Sequence, residues 1–434
     1  MKIKSDIHKN NKTYRYISDN TADISEDVIF LKTAQNSKYF DKLDNKPAYI
    51  TPKELILLWS LDEMKVVGVT GTNGKTTVTA GIYSLLLDLG YKAGLQGTRG
   101  VFANDKKIVD KSMTTPSILE TLYNMKLTKE HECEYFIMEV SSHAIDQDRI
   151  EDINFALKVH TNVTSDHLDY HKTVEEYRRV KSLFFADKSP KLLNKDDIKH
   201  ITYNITYAQS YGIDEPATLK VQAYSLLNGI VAGVKYMNEE ATFSSPMVGL
   251  FNLSNLLAAI GSVKILTQRP LQEICDKVEN FGGVAGRMQV VSQNPLVIVD
   301  FAHTDDGMYQ VLNSIKDKDI VVVFGAGGNR DKAKRPRMGA VAGRFAKKIY
   351  VTSDNPRDEV PEQILEDILV GLRGKENVVA TPDRKLAIKM ALEDIKDDEV
   401  LLILGKGDET YQEIKGVKYP FDDREVVREL LDRD

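Results

Sequence analysis

The sequence predicts an α/β protein of three domains. Two series of apolar, strand-length runs alternate with helical stretches. "KVVGV" (65–69), "EYFIMEV" (134–140) and "ALKVHTNV" (156–163) form the first, and "LVIVDF", "DIVVVFGA", "KIYVTSD" and "EVLLILGKG", from residue 296 onward, form the second. Their apolar character is continuous rather than alternating, which marks strands buried on both faces of mostly parallel, helix-covered sheets. A length of 434 residues exceeds one ordinary core and leaves room for a third, smaller unit.

That smaller unit comes first in the chain. Residues 14–50 carry short β-like runs, "YRYIS", "DVIFLKT" and "PAYIT", split by Asp, Asn, Ser and Pro, as in a small α/β domain. The boundary between the two large sheets is expected in the glycine-rich "ENFGGVAGRMQ" (279–289), giving domains 1–62, 63–285 and 286–434. Residues 337–347 and 361–372 read as helices of the last domain, and no internal repeat breaks the order. In both series polar, glycine-rich residues follow the strands, where open parallel sheets bind their ligands.

Composition narrows the partners. A net charge of −6 argues against nucleic acid or an anionic membrane, which a basic excess would meet, so any anion needs a local site. The N-terminus "MKIKSDIHKNNKTYRYI" is polar and lacks a signal-peptide core, and the longest apolar runs are of strand length; a cytoplasmic protein is expected. Cys133 and Cys275 lie far apart without metal-ligand spacing, so both should be buried, reduced and idle.

"VVGVTGTNGKTT" (66–77) joins a strand to the helical run "VTAGIYSLLLDLG" through a glycine turn, a context that favours anions at the helix N-terminus. The common phosphate loop, G-x-x-x-x-G-K-[ST], requires glycine at the position of Val69. Gly71, Thr72, Asn73 and Gly74 would make a shorter turn, Lys75 would neutralise β- and γ-phosphate charge, and the hydroxyl of Thr76, followed by Thr77, would ligate Mg²⁺. Glu139, ending the next strand, can reach the same ion. The plainer alternatives are a tight strand-to-helix turn with an incidental lysine and a salt-bridging Glu139. His160, His167 and His171 fit no common zinc spacing, and hard-oxygen Mg²⁺ chemistry suits an ATP site better.

"TGTNGKTT" resembles the ATP loop of the Mur ligases and folylpolyglutamate synthetases, which join a carboxylate to an amine using ATP. The resemblance implies a central P-loop ATPase-type sheet, a Rossmann-like C-terminal domain, ATP and two Mg²⁺ ions. Lys181 lies on a helix expected at 174–186, on the face of Tyr177 and Phe184, where a lysine would ordinarily lay its stem on apolar surface and send its ammonium to water. By resemblance it is instead carbamylated by CO₂ and helps His167 hold the second Mg²⁺, so that Lys75, Lys181 and His167 are the catalytic residues. "GLFNLSNLLAA" (249–259) offers Asn255 to the adenine, "GRMQ" (286–289) offers Arg287 to the phosphates, and "VDFAHTDDG" (299–307) offers Asp300 to the ribose with His303 nearby. Phe301 and Gln289 stand where the family often has Tyr and Glu.

Substrates are read from further segments. "SSHAIDQDR" and "MTTPS" (113–117) resemble the family members that extend UDP-N-acetylmuramoyl-L-alanyl-D-glutamate, which implies contacts to the muramoyl dipeptide from Thr114, Thr115, Ser141, Gln147 and Arg149. "TSDNPRDE" carries Asp354, Asn355, Pro356 and Arg357; Asp-Asn-Pro would form a turn in any case, but the D-N-P-R quartet resembles the family's mark for meso-diaminopimelate. Arg357 and Arg330 would take the far carboxylate of that amine, and Glu409 with the backbone of Gly405 its ammonium. Asp408 stands where His is usual. "ISDNTADIS" implies uridine contacts by the first domain, with Asn20 in place of the usual Ser. The expected protein is a monomeric, ATP-dependent amide ligase of peptidoglycan precursor synthesis. Its alternatives are L-lysine as the amine, a folylpolyglutamate-type ligase, and, from another class, a P-loop switch that hydrolyses ATP without either substrate.

Overall fold

A computed structural model describes the chain apart from Lys111, residues 165–167, Asn228, residues 433–434 and the side chains of Leu168 and Asp169. Contacts divide it into two compact units: Met1–Tyr224 with Val231–Ser244 and Ser254–Phe281, and Gly282–Asp434 with Ser225–Ile230 and Ser245–Leu253. The main break, between Phe281 and Gly282, falls inside the glycine-rich stretch where a boundary is expected, and residues 1–62 cluster with the first unit.

The first unit begins with a four-stranded sheet in chain order, Lys2–Lys9, Lys12–Ser18, Val28–Leu31 and Tyr49–Ile50, antiparallel in its first pair and parallel thereafter. Its first strand reads as merely polar in sequence, yet Ile3, Ser5 and Ile7 alternate inward. Asn10 and Asn11, both left-handed (φ 52° and 60°), make the tight turn that returns it. Thr51 and Glu54 form a reciprocal capping box that starts the helix Pro52–Leu58.

The larger sheet of this unit has eleven strands. Lys65–Thr70 lies at its centre between Phe155–His160 and Tyr135–Glu139, parallel to both, with Ala93–Gly97 beyond the latter and Lys191–Asn194 beyond the former. Val69 pairs with Glu139 and Thr70 with His160, so the ends of three strands arrive together at the turn that follows Thr70. Val66, Val67 and Val69 are buried, in keeping with their continuous apolar run. One helix among the described residues, Leu250–Thr267, is long and apolar enough to cross a bilayer, although no apolar run in the sequence looks longer than a strand; most of it is buried within the protein.

The second unit is a six-stranded sheet in the order Gln289–Gln293, Leu296–Asp300, Glu399–Leu404, Asp319–Phe324, Lys348–Val351 and Val378–Ala380, parallel except for its first pair. One face packs on Met308, Val311, Met338, Ile364 and Ile368, the other on Ala387, Ile388, Ala391, Val426 and Val427, so the strands are covered on both sides. The expected helices appear as Lys334–Phe345 and Pro361–Leu369. Cys133 and Cys275 are buried and free, and burial pushes their thiols up to about 11 and about 12.

Arg384 ties this unit together. It is wholly buried, pairs with Asp423 through Nε (2.8 Å) and Nη2 (2.7 Å), and donates to the carbonyls of Ser353 (3.2 Å) and Leu404 (3.0 Å). Those carbonyls sit where the chain leaves Lys348–Val351 and Glu399–Leu404, so one guanidinium sets the origin of two loops. Arg384→Met would strand a buried carboxylate; urea unfolding should show a loss of about 3–5 kcal/mol, the usual cost of breaking a buried pair from one side.

Candidate active site

The turn after Lys65–Thr70 is shaped by groups from outside it. Thr161 Oγ1 and Asn162 Nδ2 donate to the carbonyl of Asn73 (2.6 and 3.1 Å), Asn73 N donates to Asn162 Oδ1 (2.9 Å), and Thr72 N to the carbonyl of Asn162 (2.8 Å). Gly71 is required by this clamp, since a Cβ there would lie 1.8 Å from Thr161 Oγ1. Gly74 is left-handed (φ 85°), and a Cβ on it would meet Asn255 Oδ1 at 2.4 Å, which places Asn255 directly over the turn. The helix Lys75–Asp88 then begins, with its first N–H groups at the turn. Lys75 Nζ folds back onto the carbonyls of Gly71 and Thr72, both at 2.8 Å, and Thr77 is buried behind.

Beside the turn, Glu139 is buried and accepts from Thr76 Oγ1 (3.2 Å) and Thr98 N (3.1 Å). Gly97 makes room for it, because a Cβ there would lie 2.2 Å from Oε1. Thr98 Oγ1 lies 3.2 Å from Thr114 Oγ1, linking this carboxylate to the substrate loop expected at 113–117. Among the described residues no three His, Cys, Asp or Glu side chains converge as a metal cluster. A hydroxyl and a carboxylate in contact are nevertheless the hard oxygens Mg²⁺ prefers, with phosphate oxygens to complete the set.

Lys181 departs from the ordinary lysine it would be on an amphipathic helix. On Val174–Leu183 its ammonium is buried rather than in water, donating to the carbonyl of Gly71 (2.9 Å) and to Thr70 Oγ1 (3.3 Å), with the Tyr177 ring 4.9 Å away. Tyr177 also holds Thr72, hydroxyl to hydroxyl at 3.0 Å. His167, expected beside Lys181, lies outside the described residues. His171 instead meets Ser142 Oγ through Nε2 (2.9 Å). His160 is fully buried, its ring nitrogens lack a hydrogen-bond partner among the described residues, and Nε2 stands 3.6 Å from Asp197. Burial, helped by the charge of Lys181, pushes its pKa down to about 3, while burial raises Asp197 to about 6.

Four of the expected dipeptide residues form one network. Thr115 Oγ1 donates to the carbonyl of Glu139 (2.9 Å) and accepts from Ser141 N (2.9 Å), while the carbonyl of Thr115 accepts from Arg149 Nη1 (3.0 Å). Arg149 Nε and Nη2 both donate to Gln147 Oε1 (3.0 and 2.6 Å), and Gln147 Nε2 donates to Tyr170 (3.1 Å). Gln147 thus orients Arg149. Asn20 caps a short turn through Ala22 N and lines a cavity of about 400 Å³ with Thr33, Asn36, Tyr39 and Ser117.

In the second unit Arg287 stacks on the Phe301 ring (4.5 Å), so the Phe that departs from the family pattern still serves as a platform. Asp300 is buried with its oxygens taken by Met288 N and Ala302 N, both 2.7 Å, and burial raises its pKa against the pull of Arg287. His303 is exposed, and its carbonyl accepts from Lys334. Asn355 Nδ2 donates to Glu409 Oε2 (2.8 Å), Glu413 N donates to Asn355 Oδ1 (2.9 Å), and Arg357 Nε donates to Glu413 (3.2 Å). Arg357, left-handed at φ 51°, reaches Gly328 O, and a Cβ on Gly327 would lie 2.9 Å from Arg357 Nη1 and 3.7 Å from Arg330 Cγ. The two expected arginines therefore flank one glycine. Pro356 turns the chain beside Gly328, and a Cβ on Gly405 would lie 2.5 Å from Asp354.

The family model of the Mur ligase middle domain matches residues 69–263, and that of the Mur ligase, glutamate ligase domain matches residues 286–407. The chain belongs to the Mur ligase family. It is 51% identical to the UDP-N-acetylmuramoyl-L-alanyl-D-glutamate--2,6-diaminopimelate ligase of Wolinella succinogenes over 96% of both chains. Identity to the enzyme of that name from Helicobacter hepaticus is 53% over 93% of this chain and 89% of the other. A solved structure of a ligase of this name superposes with a TM-score of 0.70 at 27% identity, covering 99% of this chain and 97% of that one. The Mycobacterium tuberculosis folylpolyglutamate synthase complexed with ADP shares the fold, with a TM-score of 0.63 at 16% identity over 82% of this chain and 91% of its own.

Several residues that build this Mur ligase site escape sequence reasoning. Thr161 and Asn162 stand in the quoted "HTNV", and Thr98 follows a strand, so each had a positional signal but no motif. Two outcomes follow from the geometry. Gly71→Ala should weaken binding of a non-hydrolysable ATP analogue by about tenfold or more in calorimetry, since about 1.4 kcal/mol of misplacement suffices. His160→Leu should grow relatively more stable than the parent as pH falls from 6.5 towards 4. The neutral folded-state imidazole forfeits roughly 1.4 kcal/mol per pH unit once the unfolded one protonates, and Asp197, with its raised pKa, works in the opposite sense in both proteins.

Proposed function

We propose that this ligase joins the D-glutamyl side-chain carboxylate of UDP-N-acetylmuramoyl-L-alanyl-D-glutamate to an amine of meso-2,6-diaminopimelate, with cleavage of ATP to ADP and phosphate. The observation that carries the choice of amine is the Asn355–Glu409 pair joined through Glu413 to Arg357, a carboxylate and a guanidinium on one cluster of strand-end loops. A zwitterionic far end is complementary to such a pair, whereas L-lysine would leave Arg357 and Arg330 without a carboxylate.

In the proposed division, residues 1–62 serve the uridine, with Asn20 in its cavity, residues 63–285 serve ATP and the muramoyl dipeptide, and residues 286–434 serve the amine. Lys75 turns from the loop carbonyls to the β- and γ-phosphates with Asn255 over the same turn, and by family resemblance Arg287, Asp300 and His303 of the last domain are nucleotide residues as well. Arg149, braced by Gln147 and Thr115, orients the dipeptide carboxylate with Thr114 and Ser141. An oxygen of that carboxylate attacks the γ-phosphorus as the bond to the bridging oxygen breaks and ADP leaves. The amine, unprotonated, then attacks the acyl-phosphate carbon, and phosphate departs with the bond it gives up while the amine proton passes to solvent. Thr76 and Glu139 would hold Mg²⁺, and Lys181, carbamylated by CO₂, would hold a second ion with His167; bound there, these ions withdraw charge from the phosphoryl oxygens. The burial of Lys181 against Thr70 and Gly71, at the root of the loop turn, supports this role.

Phosphate release should require both the UDP-dipeptide and diaminopimelate, and L-lysine should not replace the latter; release with ATP alone would indicate a hydrolytic switch. Arg357→Ala should raise the KM for diaminopimelate roughly 10- to 100-fold, the worth of a charged hydrogen-bonded contact, with little change for ATP.

A further inference from the structure

Lys406 lies in the loop after Glu399–Leu404 and has no part in the scheme above. Its side chain is wholly buried, which is rare for lysine and demands acceptors. It has three: Glu409 Oε2 at 3.0 Å, Asn355 Oδ1 at 3.3 Å and the carbonyl of Tyr411 at 2.5 Å. These come from the loop's own far end, from the D-N-P-R segment and from the hairpin Tyr411–Ile414 with Val417–Pro420. The direction of the side chain is imposed by its neighbours. Gly405 (φ 114°) and Gly407 (φ 56°) flank it, and a Cβ on either would strike Asp354 Oδ2 at 2.5 Å or the carbonyl of Gly286 at 2.7 Å.

The consequence falls on Glu409. Its Oε2 is occupied twice, by Lys406 Nζ and by Asn355 Nδ2, while its Oε1 has no partner among the described residues. A carboxylate held by one oxygen cannot rotate freely, so the other oxygen keeps a fixed place. The same ammonium contacts Asn355 Oδ1, which also accepts from Glu413 N, the residue that braces Arg357. Asn355 Oδ1 keeps its bond from Glu413 N without the ammonium, so the brace on Arg357 does not depend on Lys406.

We infer that Lys406 is a positioning residue for amine selection: it pins Glu409 Oε2 so that Oε1 is presented to the distal ammonium of a diamino-dicarboxylate. This rests on the proposed function, and the test separates the two. Phosphate release is measured for the parent, Lys406→Met and Glu409→Gln with meso-diaminopimelate and with 2-aminopimelate, a monoamino analogue that has the same length and far carboxylate but no distal amine.

The parent should prefer diaminopimelate. Both variants should raise its KM tenfold or more, while the KM values for the monoamino analogue and for ATP, and kcat at saturation, stay within about twofold, because what is lost is the orientation of one contact. The double variant should be no worse than Glu409→Gln alone. A Lys406→Met enzyme that keeps the parental preference, or that loses both amines and ATP alike, overturns the inference. A parent indifferent to diaminopimelate overturns the function beneath it. Should Lys406→Met not fold, Lys406→Gln carries the same expectation and the same contradiction, as it keeps a donor in the buried position but reaches fewer acceptors.

Discussion

The carbonyl of Asn73 accepts from Thr161 and Asn162, and the N–H groups of Thr72 and Asn73 are given back to Asn162. This reciprocal clamp holds the turn between the central strand and the helix Lys75–Asp88, and the rest of the first unit is arranged around it. The absence of a side chain at Gly71 lets Thr161 close in, and the left-handed Gly74 lets Asn255 lie over the turn. Because Leu157–His160 pairs residue by residue with Val67–Thr70, the clamp is a property of the sheet and not of the loop alone. A turn held in this way fixes where the helix Lys75–Asp88 begins and so where its first N–H groups point, the kind of helix end that favours an anion.

The second unit follows a different rule, in which buried cations gather strand-end loops. Arg384 binds the carbonyls that begin the Asp354 and Gly405 loops. Arg335, also wholly buried, holds Glu359 down at about 2, pairs with Asp367 and donates to Gly327 O, fixing the glycine loop beside Arg357. Each such cation would be expensive without its acceptors, and satisfying it orders the backbone around it. Arg357 and Glu409, the residues proposed to meet the amine, are then free to be only partly buried.

Much of this was legible in the sequence because it rests on local patterns. Continuous apolar runs revealed the buried parallel strands, and strand, glycine turn and Lys-Thr-Thr marked the turn between Lys65–Thr70 and the helix Lys75–Asp88. The Asn355–Arg357 segment and Glu409 came from resemblance, and the structure brings them to one cluster. What was missed depends on pairing across distance. Thr161 and Asn162 gain their role only from lying beside Thr70, and Arg384 and Lys406 look like surface charges until the fold buries them. The alternating strand Lys2–Lys9 was hidden by lysines on its outer face. Lys181 shows the opposite case, in which helix spacing gave its face correctly but suggested a solvated ammonium where the fold supplies Thr70 and Gly71 as acceptors.

In the proposed reaction the γ-phosphoryl group passes from ATP to a carboxylate rather than to water. Isotope transfer tests this directly. With ¹⁸O in the D-glutamyl side-chain carboxylate of the UDP-dipeptide, ATP and diaminopimelate, mass spectrometry of the released phosphate should find one ¹⁸O atom per phosphate from each doubly labelled carboxylate, since the acyl phosphate leaves with a carboxylate oxygen. Unlabelled phosphate, with oxygen drawn from solvent, would mean that ATP is hydrolysed and no acyl phosphate forms.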